Sequence, residues 1–252
     1  MNKTFLNHNH PLFTVMLQCE NPETAIGRIR NANCLGADAY GLQVESLKSE
    51  YQNVDVYKRI FAEMKGKPCY VTNYRMANNS NKTDEELADG LITLAQSGAT
   101  LCDVMGDMFC RHPEELTDNE EAIKKQIELI DALHENGAEV LMSSHLYKFV
   151  PAERVLEIAF EQKQRGADII KIVTGADTME QQIENLRITN LLKQELGAPF
   201  LFLSVGDCDI HRKLGMKLGC CMGLCVYEHD AFSTSSQPLL STMKTVRDEL
   251  GF

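Results

Sequence analysis

The sequence predicts an α/β protein of the (β/α)8 barrel class, a single domain over residues 1–252, and three observations lead there. Glycines recur roughly every 30 residues (Gly36, Gly66, Gly98, Gly137, Gly166, Gly197, Gly219), each closing a helical pattern and preceding an apolar run. Glycine at a helix C′ position, then a strand, then another helix is the βα unit. The apolar runs are continuous rather than alternating, as in strands covered on both faces. The chain length of 252 residues suits one barrel of eight such units. A doubly wound open sheet is the alternative, but no glycine-rich phosphate fingerprint follows the first strand.

Taken in order, the expected strands are 13–18, 38–44, 69–74, 100–105, 139–144, 168–174, 200–205 and 220–226. Between them the spacing predicts helices near 23–34, 52–65, 84–97, 119–136, 151–165, 178–196, 208–217 and 238–249. Thr83-Asp-Glu-Glu86 and Thr117-Asp-Asn-Glu120 both fit a capping box at a helix start. After the second, Ile123, Ile127, Ile130 and Leu133 form an apolar stripe at helical spacing.

Composition narrows the function classes. Hydrophobic residues at 44% and charged residues at 24% are ordinary for a soluble globular protein. No apolar stretch reaches the roughly 18 residues that a membrane span needs, and the N-terminus lacks the apolar core of a secretory signal. Nine cysteines, an odd number without framework spacing, favour reduced thiols and a cytoplasmic location. Cys220, Cys221 and Cys225 lack the paired spacing of a zinc site and read as small core residues, so no metal is expected. The net charge of −11 argues against nucleic acid and anionic membrane surfaces. An anionic substrate must therefore be held by local cations.

In a barrel, chemistry belongs at the C-terminal ends of the strands. The polar residues fall there: Asn73, Tyr74 and Arg75 after the third strand, Asp103 to Asp107 on and after the fourth, Ser143-Ser144-His145 ending the fifth. The sixth strand lies in GADIIKIVTGA (166–176), an almost wholly apolar run with Lys171 at its middle. Lysine is rarely buried without a partner. An inward lysine here has only the barrel mouth to point into, where desolvation favours a neutral, nucleophilic amine. The alternative is a lysine that snorkels to solvent. Alternation sets Leu141, Ser143 and His145 on one face of the fifth strand and Ile169, Lys171 and Val173 on one face of the sixth. Neighbouring strands lie about 4.8 Å apart, so lysine and histidine can share the mouth. An amine beside an imidazole suits imine chemistry, the imine acidifying the neighbouring C–H and the histidine moving the proton.

The segments VLMSSHLYKFVP (140–151), GADIIKIVTGA (166–176), LFLSVGDCDIHRKLGMKLGCCMG (201–223) and STSSQP (233–238) resemble successive motifs of the type I 3-dehydroquinate dehydratases. The resemblance is good over the C-terminal half and holds in outline over the N-terminal half. It implies a (β/α)8 barrel, a homodimer, no cofactor and no metal, and elimination of water from 3-dehydroquinate, a small anionic keto acid. By the same resemblance Lys171 matches the Schiff-base lysine and His145 the general acid/base. Arg212 matches the arginine that grips the substrate carboxylate, a task suited to a planar bidentate donor. Ser233 and Gln237 match the serine and glutamine of the covering loop.

The N-terminal half departs from that pattern. Where the family carries a glutamate and an arginine on its second strand, this chain has Gly41, Leu42 and Gln43, with Glu45 at the family's aspartate. Arg75 matches an arginine after the third strand, whereas Asn79 falls near the glutamate that orients the histidine. Gln43, Arg75 and Asn79 are accordingly the expected substrate-side residues of this half. Asp103, Asp107 and Glu45 are the carboxylates that could orient His145 instead. Two other functions stay open: a related Schiff-base dehydratase or aldolase acting on another carboxylated keto compound, and a non-catalytic binding barrel that keeps Arg212 and the covering loop.

Overall fold

The computed structural model describes residues 4–207 and 209–252. Strands and helices alternate along the chain: β1 (Leu12–Leu17), α1 (Pro22–Cys34), β2 (Ala39–Gln43), α2 (Val54–Glu63), β3 (Cys69–Thr72), α3 (Asp84–Gln96), β4 (Leu101–Met105) and α4 (Glu120–Glu135). The second half repeats the pattern with β5 (Glu139–His145), α5 (Ala152–Gln164), β6 (Ile169–Ala176), α6 (Met179–Glu195), β7 (Phe200–Gly206), α7 (Asp209–Leu218), β8 (Met222–Cys225) and α8 (Leu240–Leu250).

Each strand pairs in parallel with its sequence neighbour, and β1 also pairs with β8, giving the order β7-β6-β5-β4-β3-β2-β1-β8. The barrel is nearly closed. At the β7/β8 seam the Cys221 N–H donates to the Phe200 carbonyl at 2.9 Å just before β8 begins. The seven glycines that mark the repeat all have positive φ, from 60° at Gly197 to 133° at Gly219. That left-handed conformation ends each helix at little steric cost, which is why the repeat is legible in the sequence.

The helix starts show how local chemistry sets the boundaries. Thr83 and Glu86 form the expected capping box. The second expected box does not form. Asn119 caps α4 by accepting from the Ala122 N–H at 2.9 Å, while the Thr117 hydroxyl accepts from the Asn119 N–H at 3.2 Å. The asparagine reaches the first free N–H groups of the helix, and the threonine is left to brace the turn before it. No helix among the described residues is long and apolar enough to cross a membrane.

Inside the ring, Leu101, Leu141, Ile169 and Leu201 are all within 1% of full burial and form the floor. Side chains of this size contribute about 1.5–3 kcal/mol each on burial. Above that floor the same strand faces turn polar, with Asp103, Ser143 and Lys171 also buried. Cys220 and Cys225 are buried too, their S–H groups facing the Phe202 and Thr14 carbonyls.

Candidate active site

A cavity of about 710 Å³ opens at the C-terminal ends of the strands, and Lys171 and His145 both line it. The β5/β6 register pairs Ser143 with Lys171 and His145 with Val173, so the histidine sits one rung nearer the rim than the lysine. Lys171 is 4% exposed. Its side chain runs inward above the floor, toward Tyr70, Tyr74 and Asp103, instead of out through the helix layer.

The lysine is not alone there. Nζ lies 3.1 Å from Asp103 Oδ2 and donates to the hydroxyls of Tyr74 at 2.7 Å and Tyr70 at 3.0 Å. Both phenols donate to the same Asp103 oxygen, and Ser143 Oγ donates to the other at 2.5 Å. Burial first, and then the neighbouring Asp103 charge, push both phenols well above their ordinary range, so they stay protonated as donors. Tyr70, Tyr74 and Lys171 face the cavity, while Asp103 lies beneath them at 1% exposure.

His145 is oriented by Glu115. The carboxylate accepts from ring Nδ1 at 2.8 Å and from the His145 backbone N–H at 2.9 Å. A carboxylate only accepts, so the proton stays on Nδ1 and Nε2 becomes the working nitrogen. Burial pushes the Glu115 carboxyl up, but hydrogen bonds from His145 and its charge outweigh this and hold it below the usual carboxylate range. The imidazole also stacks against Tyr147 at 5.8 Å between centroids and meets Tyr74 edge-on at 5.5 Å.

Glu115 comes from the loop between β4 and α4, at a φ of 46°. The Ser144 hydroxyl donates to its carbonyl at 2.7 Å, and its own N–H donates to the His112 carbonyl at 2.9 Å. Gly106 makes room for it: a Cβ there would stand 2.5 Å from the Glu115 carbonyl oxygen. Neither Asn79 nor Asp103, Asp107 or Glu45 fills this role. Asp103 serves the lysine, Asp107 binds Arg75 at 2.7 Å, and Glu45 accepts from Thr72 at 2.8 Å, with burial pushing its carboxyl up to about 7.

Arg212, in the first turn of α7, lines the cavity and donates Nε–H to the Ser204 carbonyl at 2.7 Å. Its neighbour His211 is fully buried, between the hydroxyls of Ser204 at 3.0 Å and Thr189 at 2.8 Å. Asn185 extends this network by donating to Ser204 Oγ at 2.8 Å. Buried, hydrogen-bonded polar clusters of this kind fix one geometry. Here the cluster pins the start of α7 and with it Arg212.

Burial, then the Arg212 charge, lower the His211 pKa to about 4. A group whose folded pKa is depressed stabilises the fold above its unfolded value of about 6.5. That stability is lost as pH falls through about 4, because the unfolded chain takes up the proton first. We expect an acid-side loss of about 3 kcal/mol from this group. Urea melts between pH 7 and pH 4 check it: His211→Asn should flatten that part of the curve, and an unchanged slope would count against the assignment.

The remaining expected residues divide into two sets. Gln43 and Gln237 line the cavity, and Gln237 Oε1 is buried without a hydrogen-bond partner. Arg75 also lines it, but its guanidinium is committed to Asp84 at 2.6 Å and Asp107 at 2.7 Å. Asn79 does not reach the cavity. It is fully buried and donates to Asn73 Oδ1 at 2.7 Å. Ser233 is turned back within its own loop, where its hydroxyl donates to the Asp230 carbonyl at 3.1 Å and accepts from the Asp230 N–H. Its neighbours Phe232 and Thr234 face the cavity instead. Gln18 holds this loop down, accepting from the Thr234 N–H at 2.9 Å and donating to Thr234 Oγ1 at 2.7 Å.

Comparison with known proteins places this site in context. Residues 13–251 match the family model described as type I 3-dehydroquinase. The chain is 36% identical over 86 residues to the 3-dehydroquinate dehydratase of Alkaliphilus oremlandii, covering 33% of this chain and 34% of that one. It is 26% identical over 134 residues to the 3-dehydroquinate dehydratase of Lactiplantibacillus plantarum, covering 52% and 50%. The aligned segments thus span between a third and half the length of these curated relatives. Among solved structures, the 3-dehydroquinate dehydratase of Geobacillus kaustophilus superposes with a TM-score of 0.83 at 15% identity, over 96% of this chain and 91% of that one. That of Aquifex aeolicus superposes with a TM-score of 0.73 at 20% identity, over 95% and 99%. At such identities the superpositions speak to the barrel itself.

Proposed function

The chain belongs to the type I 3-dehydroquinase family, and from that premise we propose that it eliminates water from 3-dehydroquinate through an imine on Lys171. The observation that carries this reading is the buried lysine in the barrel mouth beside a carboxylate-oriented histidine on the next strand. The Lys171 amine condenses with the substrate ketone, and the resulting iminium withdraws electrons from the adjacent C–H. His145 Nε2 takes that proton. The C–O bond one carbon further on breaks, and the histidine returns the proton to the departing hydroxyl as water. Arg212 supplies a planar donor for the substrate carboxylate, and the unpartnered Gln237 oxygen accepts from a substrate hydroxyl. Working as a cytoplasmic homodimer on a small anionic keto acid is part of the same proposal, as is the absence of a nucleic-acid partner, which the net charge of −11 supports.

Two features favour a second reading, in which the same lysine serves another carboxylated ketone as dehydratase or aldolase. At Gly41 the Met16 side chain occupies the space a side chain would take, its sulfur 2.3 Å from an added Cβ. Arg75 meanwhile is neutralised by two aspartates. Contacts to substrate hydroxyls on this side are therefore fewer, and a site reading hydroxyls needs such contacts for specificity.

The deciding experiment offers 3-dehydroquinate and follows the enone absorbance of the product, with borohydride trapping in parallel. Turnover together with a reduced adduct on Lys171 is the expected result. An adduct without turnover selects the second reading. Carboxylate binding with no adduct and no proton exchange would leave only a binding barrel.

A further inference from the structure

The cluster around Lys171 holds more acid–base capacity than the His145 chemistry uses. Building on the imine reading above, we propose that Asp103 and Tyr74 form a second proton relay, separate from His145, that makes and breaks the imine. Asp103 Oδ2 stands 3.1 Å from Nζ, and Tyr74 OH stands 2.7 Å from Nζ while donating to that same oxygen. Asp103 is 1% exposed and does not line the cavity, whereas Tyr74 does. The carboxylate therefore reaches the nitrogen directly and reaches a substrate oxygen only through the phenol.

This placement matches what imine formation requires. The Lys171 ammonium gives a proton to Asp103, and the freed lone pair forms the N–C bond to the ketone carbon. The carbonyl π electrons move to oxygen, which takes the Tyr74 phenolic proton as Asp103 returns its own to the phenolate. The nitrogen of this carbinolamine then loses a proton to Asp103. The C–O bond breaks as the nitrogen lone pair forms C=N, and the hydroxide leaves as water with a proton passed from Asp103 through Tyr74. Ammonium and ketone have become iminium and water, with Asp103 a carboxylate at both ends. Tyr70, 3.0 Å from Nζ and also donating to Asp103, holds both groups in place as a positioning residue. Ser143 Oγ does the same on the other Asp103 oxygen. His145 bonds to Glu115 instead, which leaves it for the C–H proton.

The test measures adduct formation on Lys171 by rapid-quench borohydride trapping and mass spectrometry, using 3-dehydroquinate and, separately, glyoxylate as a minimal carboxylated carbonyl. Tyr74→Phe keeps the ring and removes only the hydroxyl, so the variant should fold. Its adduct rate should fall about 100-fold with both probes, the usual scale for losing one acid–base group. The pH dependence of the adduct rate should change with it. Asp103→Asn should show the same loss wherever it folds. His145→Ala should show the opposite split, slowing turnover more than adduct formation. Wild-type adduct rates in Tyr74→Phe with either probe would overturn the relay. If only glyoxylate gives an adduct and Tyr74→Phe slows it, the relay stands and 3-dehydroquinate is not the substrate.

Discussion

Lys171→Met abolishes turnover, lowering kcat by about 10⁴-fold or more, the scale seen when a covalent nucleophile is removed. Borohydride with substrate then leaves no adduct. The reason is positional as well as chemical: among the described residues no other lysine lines the cavity, so none of them can stand in. The substitution also has a structural cost. It removes one partner of a buried pair, which costs about 3–5 kcal/mol where the other charge is left uncompensated. Asp103 keeps three hydroxyl donors, from Tyr70, Tyr74 and Ser143, which places the expected loss near the low end of that range. Adding Asp103→Asn should recover part of the stability and none of the activity. Urea melts and the enone assay on the single and double variants measure the two effects separately. Residual turnover above about a thousandth of wild type would remove Lys171 from the chemistry.

The parts of this site that the sequence made legible are those with a periodic signal. Lysine and histidine sit on adjacent strands whose alternation is read residue by residue, and the register of β5 on β6 puts them where that alternation predicts. The repeat glycines announce the helix ends because only a residue at ease with positive φ ends them cheaply. Glu115 carries no such signal. It lies 30 residues from His145 in an irregular loop, at a φ unusual for glutamate, and only the folded loop brings it to the imidazole. The family pattern pointed to the loop after β3 for this role, and the chain supplies the carboxylate from the loop after β4. Ser233 fails for a similar reason. Its spacing from Gln237 is right, but Asp230 captures its hydroxyl and Thr234 takes the inward position. Asp103 was visible as a polar residue on a strand. That its partner is the lysine follows only from the inward curvature of β3 to β6, which brings Lys171, Tyr70 and Tyr74 around one Asp103 oxygen.

Glu115→Gln should lower kcat by about 10²-fold while leaving adduct formation on Lys171 in place. The glutamine keeps the shape but offers both a donor and an acceptor to Nδ1, so the carboxylate no longer dictates which nitrogen carries the proton. Imidazole in the wrong tautomer has no lone pair at Nε2 to take the C–H proton, as in a triad whose carboxylate is replaced by its amide. Acid titration shows the same dependence from the other side. The Glu115 carboxyl is held below the usual carboxylate range in the fold, so the stability it contributes is complete above its unfolded value of about 4.3 and is lost as pH falls through the lowered folded value. Glu115→Gln removes that contribution, and the variant's acid denaturation should lose the corresponding slope. Measured together, a kcat loss without a KM change and a flattened acid limb identify the carboxylate as the group that sets the histidine. If kcat stays at the wild-type value, His145 is oriented by something other than Glu115.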